Sequence, residues 1–532
     1  MSSLGPLSAA TWKTMLSNRD KRLINRLKDI YGDDEALLES RLPLYHQAID
    51  TFIQAYGDHA QTIISRAPGR INLLGNHIEH RGGHVNYMAV NRETLLVAAN
   101  RSDDQVVLCN ALPDRFSARN FAISDLLPPA KRGQWLDFIQ TLNHKPHDWE
   151  NYIRAAILYV QDQFPDTPIK GLNIAVAGDI PIAAGLSSSS SLVVSTLEAA
   201  LHFNNIKIPH LEKAEFCGRA EWYAGTRGGA GDHAAMLYAR KQAIVHLQFF
   251  PLRIEEVSLP EGYRVVACNS LVEHAPPGIF NERIATYEIG LILIKKHFPQ
   301  FADKLVHLRD LNCAHLGIPL SDIYRMLKTL PERMSRINIR TALPEHDKRL
   351  TALFAPHSEP SEGYRLRQVV LFGLSECARS ARCKSLFEAG DMAGFGKLKY
   401  LSHDGDRQFR FSPQGHVTSV VNRTTDADLD SLITDLESGH PNRVENAQIY
   451  WQSGGYDCSC EALDELVDLA SHIKGVAGAG LTGGGLGGCV LVFVRSDAVQ
   501  NLIDTLNKAF YDPCNRQDGM LICTSVGGSG LI

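Results

Sequence analysis

Pro181–Leu192 reads P-I-A-A-G-L-S-S-S-S-S-L. Gly171–Ala177 before it (G-L-N-I-A-V-A) has the apolar, β-branched character of a buried strand, and L-V-V-S-T-L-E-A-A-L from Leu192 carries helical spacing. The order is strand, glycine-serine loop, helix. Such a loop turns backbone N–H groups and hydroxyls toward the positive end of a helix, which suits a polyphosphate. A serine-rich linker is the plain alternative, but linkers are not embedded between two apolar elements. G-x-x-x-x-G-K followed by Ser or Thr does not occur, so the loop is not a P-loop.

A chain of 532 residues exceeds one small core and predicts two domains with insertions. With 44% apolar residues, 21% charged residues and a net charge of -5, it has no basic surplus pointing to nucleic acid or a membrane, so a small-molecule partner is expected. The 11 cysteines form no C-x-x-C, and M-S-S-L-G-P-L-S lacks a signal-peptide core, which favours a reducing cytoplasm. Gly475–Val494 has no charge, but eight of its residues are glycine, so it is not read as a membrane helix.

Residues 1–44 read as an amphipathic helical extension without nameable chemistry. A helix is predicted over roughly Leu44–Tyr56. Ile63–Val85 then gathers Arg66, Arg70, Asn72, Asn76, His77, Glu79, His80 and Arg81 among Pro68, Gly69, Gly75, Gly82 and Gly83, which suits a polar pocket better than a core. A zinc reading of His77 and His80 lacks the H-E-x-x-H order. Arg219–Met236 sets Glu221 and Asp232 on either side of a glycine-rich bend. Residues 307–362 and 408–452 are polar and weakly periodic, and read as insertions. Near the end, a helix over Glu461–Lys474, a glycine loop and the strand C-V-L-V-F-V are predicted. Gly478, Gly480 and Gly483 satisfy G-x-G-x-x-G, but dinucleotide binding needs strand before and helix after.

Three separated motifs together resemble the GHMP kinases, galactokinase branch. They are A-P-G-R-I-N-L-L-G-N-H-I-E-H-R-G-G at Ala67–Gly83, the serine loop, and L-T-G-G-G-L-G-G-C-V at Leu481–Val490. Trp149–Tyr152 (W-E-N-Y), Asn269-Ser270, Ser402-His403 and Tyr456–Val467 support the likeness, which runs from about Tyr45 to the C-terminus outside the two insertions. It implies an α/β, two-lobed fold: an ATP-binding domain over 45–255, a C-terminal domain over 256–532, and an active site in the cleft between lobes.

The implied activity is transfer of the ATP γ-phosphoryl group, with Mg²⁺, to the anomeric hydroxyl of a sugar. Positioning and charge neutralisation dominate such a transfer. The resemblance makes Asp232 the base and Arg70 its neighbour. It gives Gly185, Leu186, Ser187, Ser188, Ser189, Ser190 and Gly484 to ATP, and Ser189 and Glu221 to Mg²⁺. The spacing from Glu221 to Asp232 is one residue shorter than the family usually shows.

The departures concern the sugar. Where galactokinases carry Glu, His and Asp, this chain has Asn76, His77 and Glu79. The following Tyr is His80, and the Tyr of the N-S-x-x-x-H segment is Phe280. Replacing Glu by Asn removes a charge that would repel a C6 carboxylate by about 4 kcal/mol at contact and intermediate dielectric. G-N-H-I-E-H-R-G-G and T-R-G-G-A-G-D resemble plant galacturonate kinases, which implies galacturonate as substrate with Arg81, Arg227 or His80 beside its carboxylate. A neutral galactose-type sugar, including N-acetylgalactosamine, is the alternative, because Asn76 can hydrogen-bond a hydroxyl. A sugar-sensing regulator on the same fold would show a damaged serine loop or a lost base, and the sequence shows neither. The G-x-H-x-E-H-x-G-G stretch argues against mevalonate or homoserine. Oligomeric state is not legible.

Overall fold

The computed structural model describes residues 3–142, 148–182, 184–225, 228–273, 278–516 and 519–532. It is a mixed α/β protein of two compact units. The first comprises Met1–Ile71, Tyr87–Val245 and Thr524–Ile532, the second Asn72–Asn86 and His246–Cys523. The chain therefore changes unit inside Ala67–Gly83, between Ile71 and Asn72.

The first unit is built on a mixed sheet. Its strands β1 (Leu7–Ser8), β2 (Gln61–Leu74), β3 (His84–Asn100), β4 (Gln105–Asn110), β5 (Arg119–Ala122) and β6 (Leu172–Gly178) lie in the order β1-β2-β3-β6-β4-β5. β3 and β6 run antiparallel with Thr94 opposite Gly178, and β4 and β6 run parallel with Val107 opposite Asn173. β2 and β3 are buried along nearly their whole length, including the charged side chains of Arg66, Arg70 and Glu93. β7 (Ala243–Gln248) pairs with β3 and leads to β8 (Arg253–Ser258). Helices Glu150–Gln163 and Ser188–Phe203 pack on one another.

The N-terminal residues are part of this unit. Ser8, Asp20 and Asp34 cap helices Ala9–Ser17, Lys21–Tyr31 and Glu35–Tyr56, each accepting a first-turn N–H. Trp12 is fully buried and donates its indole N–H to Thr62 O at 3.2 Å. The helix predicted from Leu44 begins nine residues earlier, at Glu35, and runs through Pro43.

In the second unit β9 (Tyr263–Asn269) is followed by the hairpin β10 (Phe409–Phe411) and β11 (Val417–Ser419), then β12 (Val476–Leu481), β13 (Cys489–Arg495) and β14 (Met520–Cys523). β12-β13-β9-β14 form an antiparallel sheet, and helices Glu461–Ser471 and Met392–Asp404 pack on β12. The glycine stretch thus begins as a strand and not as the loop expected from its composition. A Cβ at Gly478 would meet Gly396 Cα at 2.6 Å, and one at Gly396 would meet Ala477 O at 1.8 Å. Glycine here permits helix and strand backbones to touch.

Residues 307–362 and 408–452 hold short helices that add to a helical core. Leu320–Lys328 buries Ile323, Tyr324, Met326 and Leu327 in the same cluster as helices Gly278–His297 and Leu366–Glu388. Helices of two or three turns are too short for their period to stand out in sequence. In the first unit, β15 (Gly530–Leu531) pairs with β2 at Ser65 and Arg66.

Candidate active site

In the first unit the serine loop lies between β6 and helix Ser188–Phe203. Ser187 occupies the left-handed region at φ 58° just before the helix. The first-turn N–H groups of a helix find no intrahelical carbonyl, so this end carries unspent donors and the positive end of the helix dipole. The backbone N–H of Arg70 donates to Leu186 O at 3.1 Å, and its Nη1 donates to Gly185 O at 2.5 Å. Gly69 keeps the strand close, since a Cβ there would lie 3.2 Å from Leu186 O.

Arg70 also grips Asp232, at the start of helix Gly231–Tyr238, with Nε 2.7 Å from Oδ1 and Nη2 2.5 Å from Oδ2. The Ser187 hydroxyl donates to the same Oδ2. Burial pushes the Asp232 carboxyl up. The Arg70 charge and hydrogen bonds, the Ser187 hydroxyl and nearby His233 more than offset it, and the group stays below the ordinary carboxylate value. The side chain keeps 26% exposure, so the carboxylate is ionised and reachable.

Glu221 closes helix Lys213–Glu221. It accepts from Ser190 Oγ at 2.8 Å, and His233 Nε2 lies 2.7 Å from its Oε2. The resemblance pointed to Ser189; the serine bonded to Glu221 is the next one, Ser190, and Ser189 is half-buried. Sequence reasoning also missed His233. Its one signal was adjacency to Asp232 in G-D-H. Hydroxyl and carboxylate oxygens form a hard donor set that suits Mg²⁺. Among the described residues no cluster of three or more His, Cys, Asp or Glu could hold a metal, so a cation here would draw further oxygens from its nucleotide.

The second unit holds the polar end of Ala67–Gly83. Gly75 adopts φ 107°, and a Cβ would meet His84 O at 2.4 Å. The next turn hangs on a buried carboxylate: Gly75 N–H and Asn76 N–H donate to Glu376 Oε1 at 2.9 and 3.2 Å, and Ser402 Oγ donates to the same atom at 2.9 Å. Arg379 Nε donates to Glu376 Oε2 at 2.8 Å, with both side chains fully buried.

Asn76 Nδ2 donates to Leu481 O at 3.1 Å, and Lys399 Nζ donates to the same carbonyl at 2.8 Å. Asn76 Oδ1 is buried with no hydrogen-bond partner. That geometry orients the amide, and the atom it holds in reserve is an acceptor. His77, at φ 64°, stacks on Tyr456 with centroids 4.2 Å apart, and its Nε2 sits 3.4 Å from Asp406 Oδ2. Asp406 is distant in sequence and no local pattern marked it, whereas Tyr456 opens the Tyr456–Val467 stretch that supports the resemblance.

Glu79, His80 and Arg81 form one 3₁₀ turn in which Glu79 is half-buried, His80 exposed and Arg81 buried. Arg81 is not an open cation. It pairs with Glu288 and lies over the Tyr287 ring at 5.4 Å. Phe280 lies against the glycine loop, where a Cβ at Gly484 would come within 2.9 Å of its Cζ. Gly484 therefore meets an aromatic ring. Arg227 lies outside the described residues.

Three family models match the chain: "Galactokinase galactose-binding signature" over residues 50–100, "GHMP kinases N terminal domain" over 151–240 and "GHMP kinases C terminal" over 425–512. The chain is 24% identical over 506 residues to a galactokinase of Dictyostelium discoideum, covering 92% of this chain and 91% of that protein. It is 25% identical over 485 residues to a galactokinase of Roseiflexus, covering 91% and 96%. A Lactococcus lactis galactokinase structure complexed with galactose superposes with a TM-score of 0.63 at 21% identity, covering 90% of this chain and 97% of that one, and so shares the fold. The chain thus matches both GHMP kinase domain models and the galactokinase galactose-binding signature, and is similar to galactokinases along nearly its whole length.

Proposed function

We propose that the protein is an ATP-dependent sugar kinase that phosphorylates the anomeric hydroxyl of a neutral galactose-type hexose. The observation that carries the reading is the Asp232 carboxylate held by Arg70 and Ser187 in the same unit as the serine-loop helix terminus. Asp232 accepts the hydroxyl proton. It is a weak base, and a loose phosphoryl-transfer transition state asks little more of it than orientation and charge. Helix N–H groups at the serine loop hold nucleotide phosphate. Glu221 and Ser190 hold Mg²⁺, which when bound neutralises phosphate charge. The curated relatives bear the name galactokinase, which supports the reading.

Asn76 argues for a neutral C6. Its partnerless Oδ1 accepts a hydrogen bond, which a hydroxyl donates and a carboxylate cannot, and Arg81 is already neutralised by Glu288. A second reading, galacturonate, is favoured by one observation: an uncharged residue stands where galactokinases carry Glu.

The test is an ATP-coupled assay with Mg²⁺ on D-galactose, N-acetylgalactosamine, D-galacturonate and D-glucuronate. Preference for galactose or its N-acetyl derivative is the expected result. Preference for galacturonate replaces the neutral reading by the second one. Sugar binding without turnover of any acceptor would make the protein a sensor and overturn the kinase assignment.

A further inference from the structure

The N-terminal residues carry a charge network whose far end is the root of the serine loop. Arg41, on helix Glu35–Tyr56, is 3% exposed. Its Nε donates to Glu93 Oε1 at 3.1 Å and its Nη1 to Asp179 Oδ2 at 2.7 Å. Glu93, on β3, is fully buried; it also receives Arg66 Nε and, at 2.5 Å, the Tyr31 hydroxyl. Glu93 and Asp179 are joined through their backbones too, with Glu93 N–H on Asp179 Oδ1 at 2.9 Å and Asp179 N–H on Glu93 O at 3.1 Å.

Asp179 is the first residue after β6 and stands two residues before Pro181. A guanidinium is costly to bury unless its partners are well placed, and a helix that only covered the sheet would bury an apolar side chain there. Arg41 instead reaches the entry of the loop, as Arg70 binds Gly185 O and Leu186 O at its exit. The two arginines hold the loop at both ends.

We propose that Arg41 is a positioning residue for the nucleotide: through Asp179 it fixes the path of the chain into the serine loop, so the N-terminal helices set nucleotide affinity. This rests on the kinase reading. The Arg-carboxylate fork is geometric, so Arg41→Lys keeps the charge and loses one of the two contacts. Asp179→Asn keeps an acceptor for Glu93 N–H and loses the ion pairs to Arg41 and to Arg92, whose Nε lies 3.6 Å from Asp179 Oδ2; with 32% side-chain exposure it spares the core.

Binding of a fluorescent ATP analogue to the full chain tests the proposal. Both variants are expected to weaken it about tenfold, with the sugar KM within about twofold of the unaltered protein. The double variant is expected to be no weaker than the worse single one, because the two residues act as one unit. Near-wild-type nucleotide affinity in folded Asp179→Asn overturns the proposal even where Arg41→Lys fails to fold. An equal loss of sugar and nucleotide affinity reduces the network to a purely structural one and overturns it as well. No nucleotide binding by the unaltered chain overturns the kinase reading itself, and this assignment with it.

Discussion

Arg70 and Asp232 meet through two parallel hydrogen bonds, Nε to Oδ1 at 2.7 Å and Nη2 to Oδ2 at 2.5 Å, so one carboxylate is both oriented and held in its charged form. Asp232→Asn is expected to lower kcat by about 10²–10⁴ with nucleotide binding retained, measured by steady-state rates beside a binding titration. The native carboxyl lies below its ordinary value, so kcat/KM should show no Asp232 limb above about pH 4. By linkage the pair's stabilisation is complete above that unfolded-state value and is lost as pH falls through the lower native one. Arg70→Met removes the main lowering influence, and an acid limb should then rise into the accessible pH range.

Ser190 and His233 converge on the Glu221 carboxylate. Glu221→Gln keeps the shape and removes the charge that would attract Mg²⁺. The Mg²⁺ concentration for half-maximal rate should rise about tenfold or more, and Ser190→Ala should move it in the same direction by less. An unchanged Mg²⁺ titration for Glu221→Gln would remove it from the cation site.

Three donors and a buried guanidinium depend on Glu376. Glu376→Ala leaves Arg379 charged and uncompensated in the interior, and a loss of about 3–5 kcal/mol in urea unfolding is expected. Glu376→Gln retains an acceptor for the Gly75 and Asn76 N–H groups and should cost less. Both should raise the sugar KM more than the ATP KM.

His246 stacks on His84 with centroids 4.4 Å apart and shares a 2.6 Å hydrogen bond with Asn86 Oδ1. Burial, with help from His84, lowers its pKa to about 4. The unfolded chain takes up this proton near pH 6.5 and the folded one resists it until about 4. This group's contribution to stability is therefore full above about pH 6.5 and declines as pH falls from there to about 4. Thermal melts across that range should show the decline, and His246→Gln should flatten it.

The strand-loop-helix at Pro181 was legible because apolar period changes on either side of a polar loop. The glycine stretch was half legible: Gly478 and Gly480 read as breakers, yet they sit in β12 because Gly396, Lys399 and His403 of another helix press on them. Five consecutive serines look alike in sequence. Only the positive φ of Ser187 turns its hydroxyl to Asp232, and one helical step hands Ser190 to Glu221. The resemblance named Arg70 and Asp232 because both lie in short motifs, whereas Glu376, Asp406 and Arg41 act across hundreds of residues or from outside the motifs. Arg81 looked available because its partner Glu288 lies on a helix far along the chain.

Thr524–Ile532 belongs to the first unit, with Arg66 Nη1 donating to Gly527 O at 2.9 Å and to Gly528 O at 3.1 Å. During synthesis, the buried arginine of β2 has these acceptors only after nearly the whole second unit has left the ribosome. The nascent chain thus carries an incomplete first unit through most of translation, when exposed strand edges invite aggregation. Chaperone demand and solubility on overexpression should follow the time to reach residue 524, and slowing elongation should not relieve them.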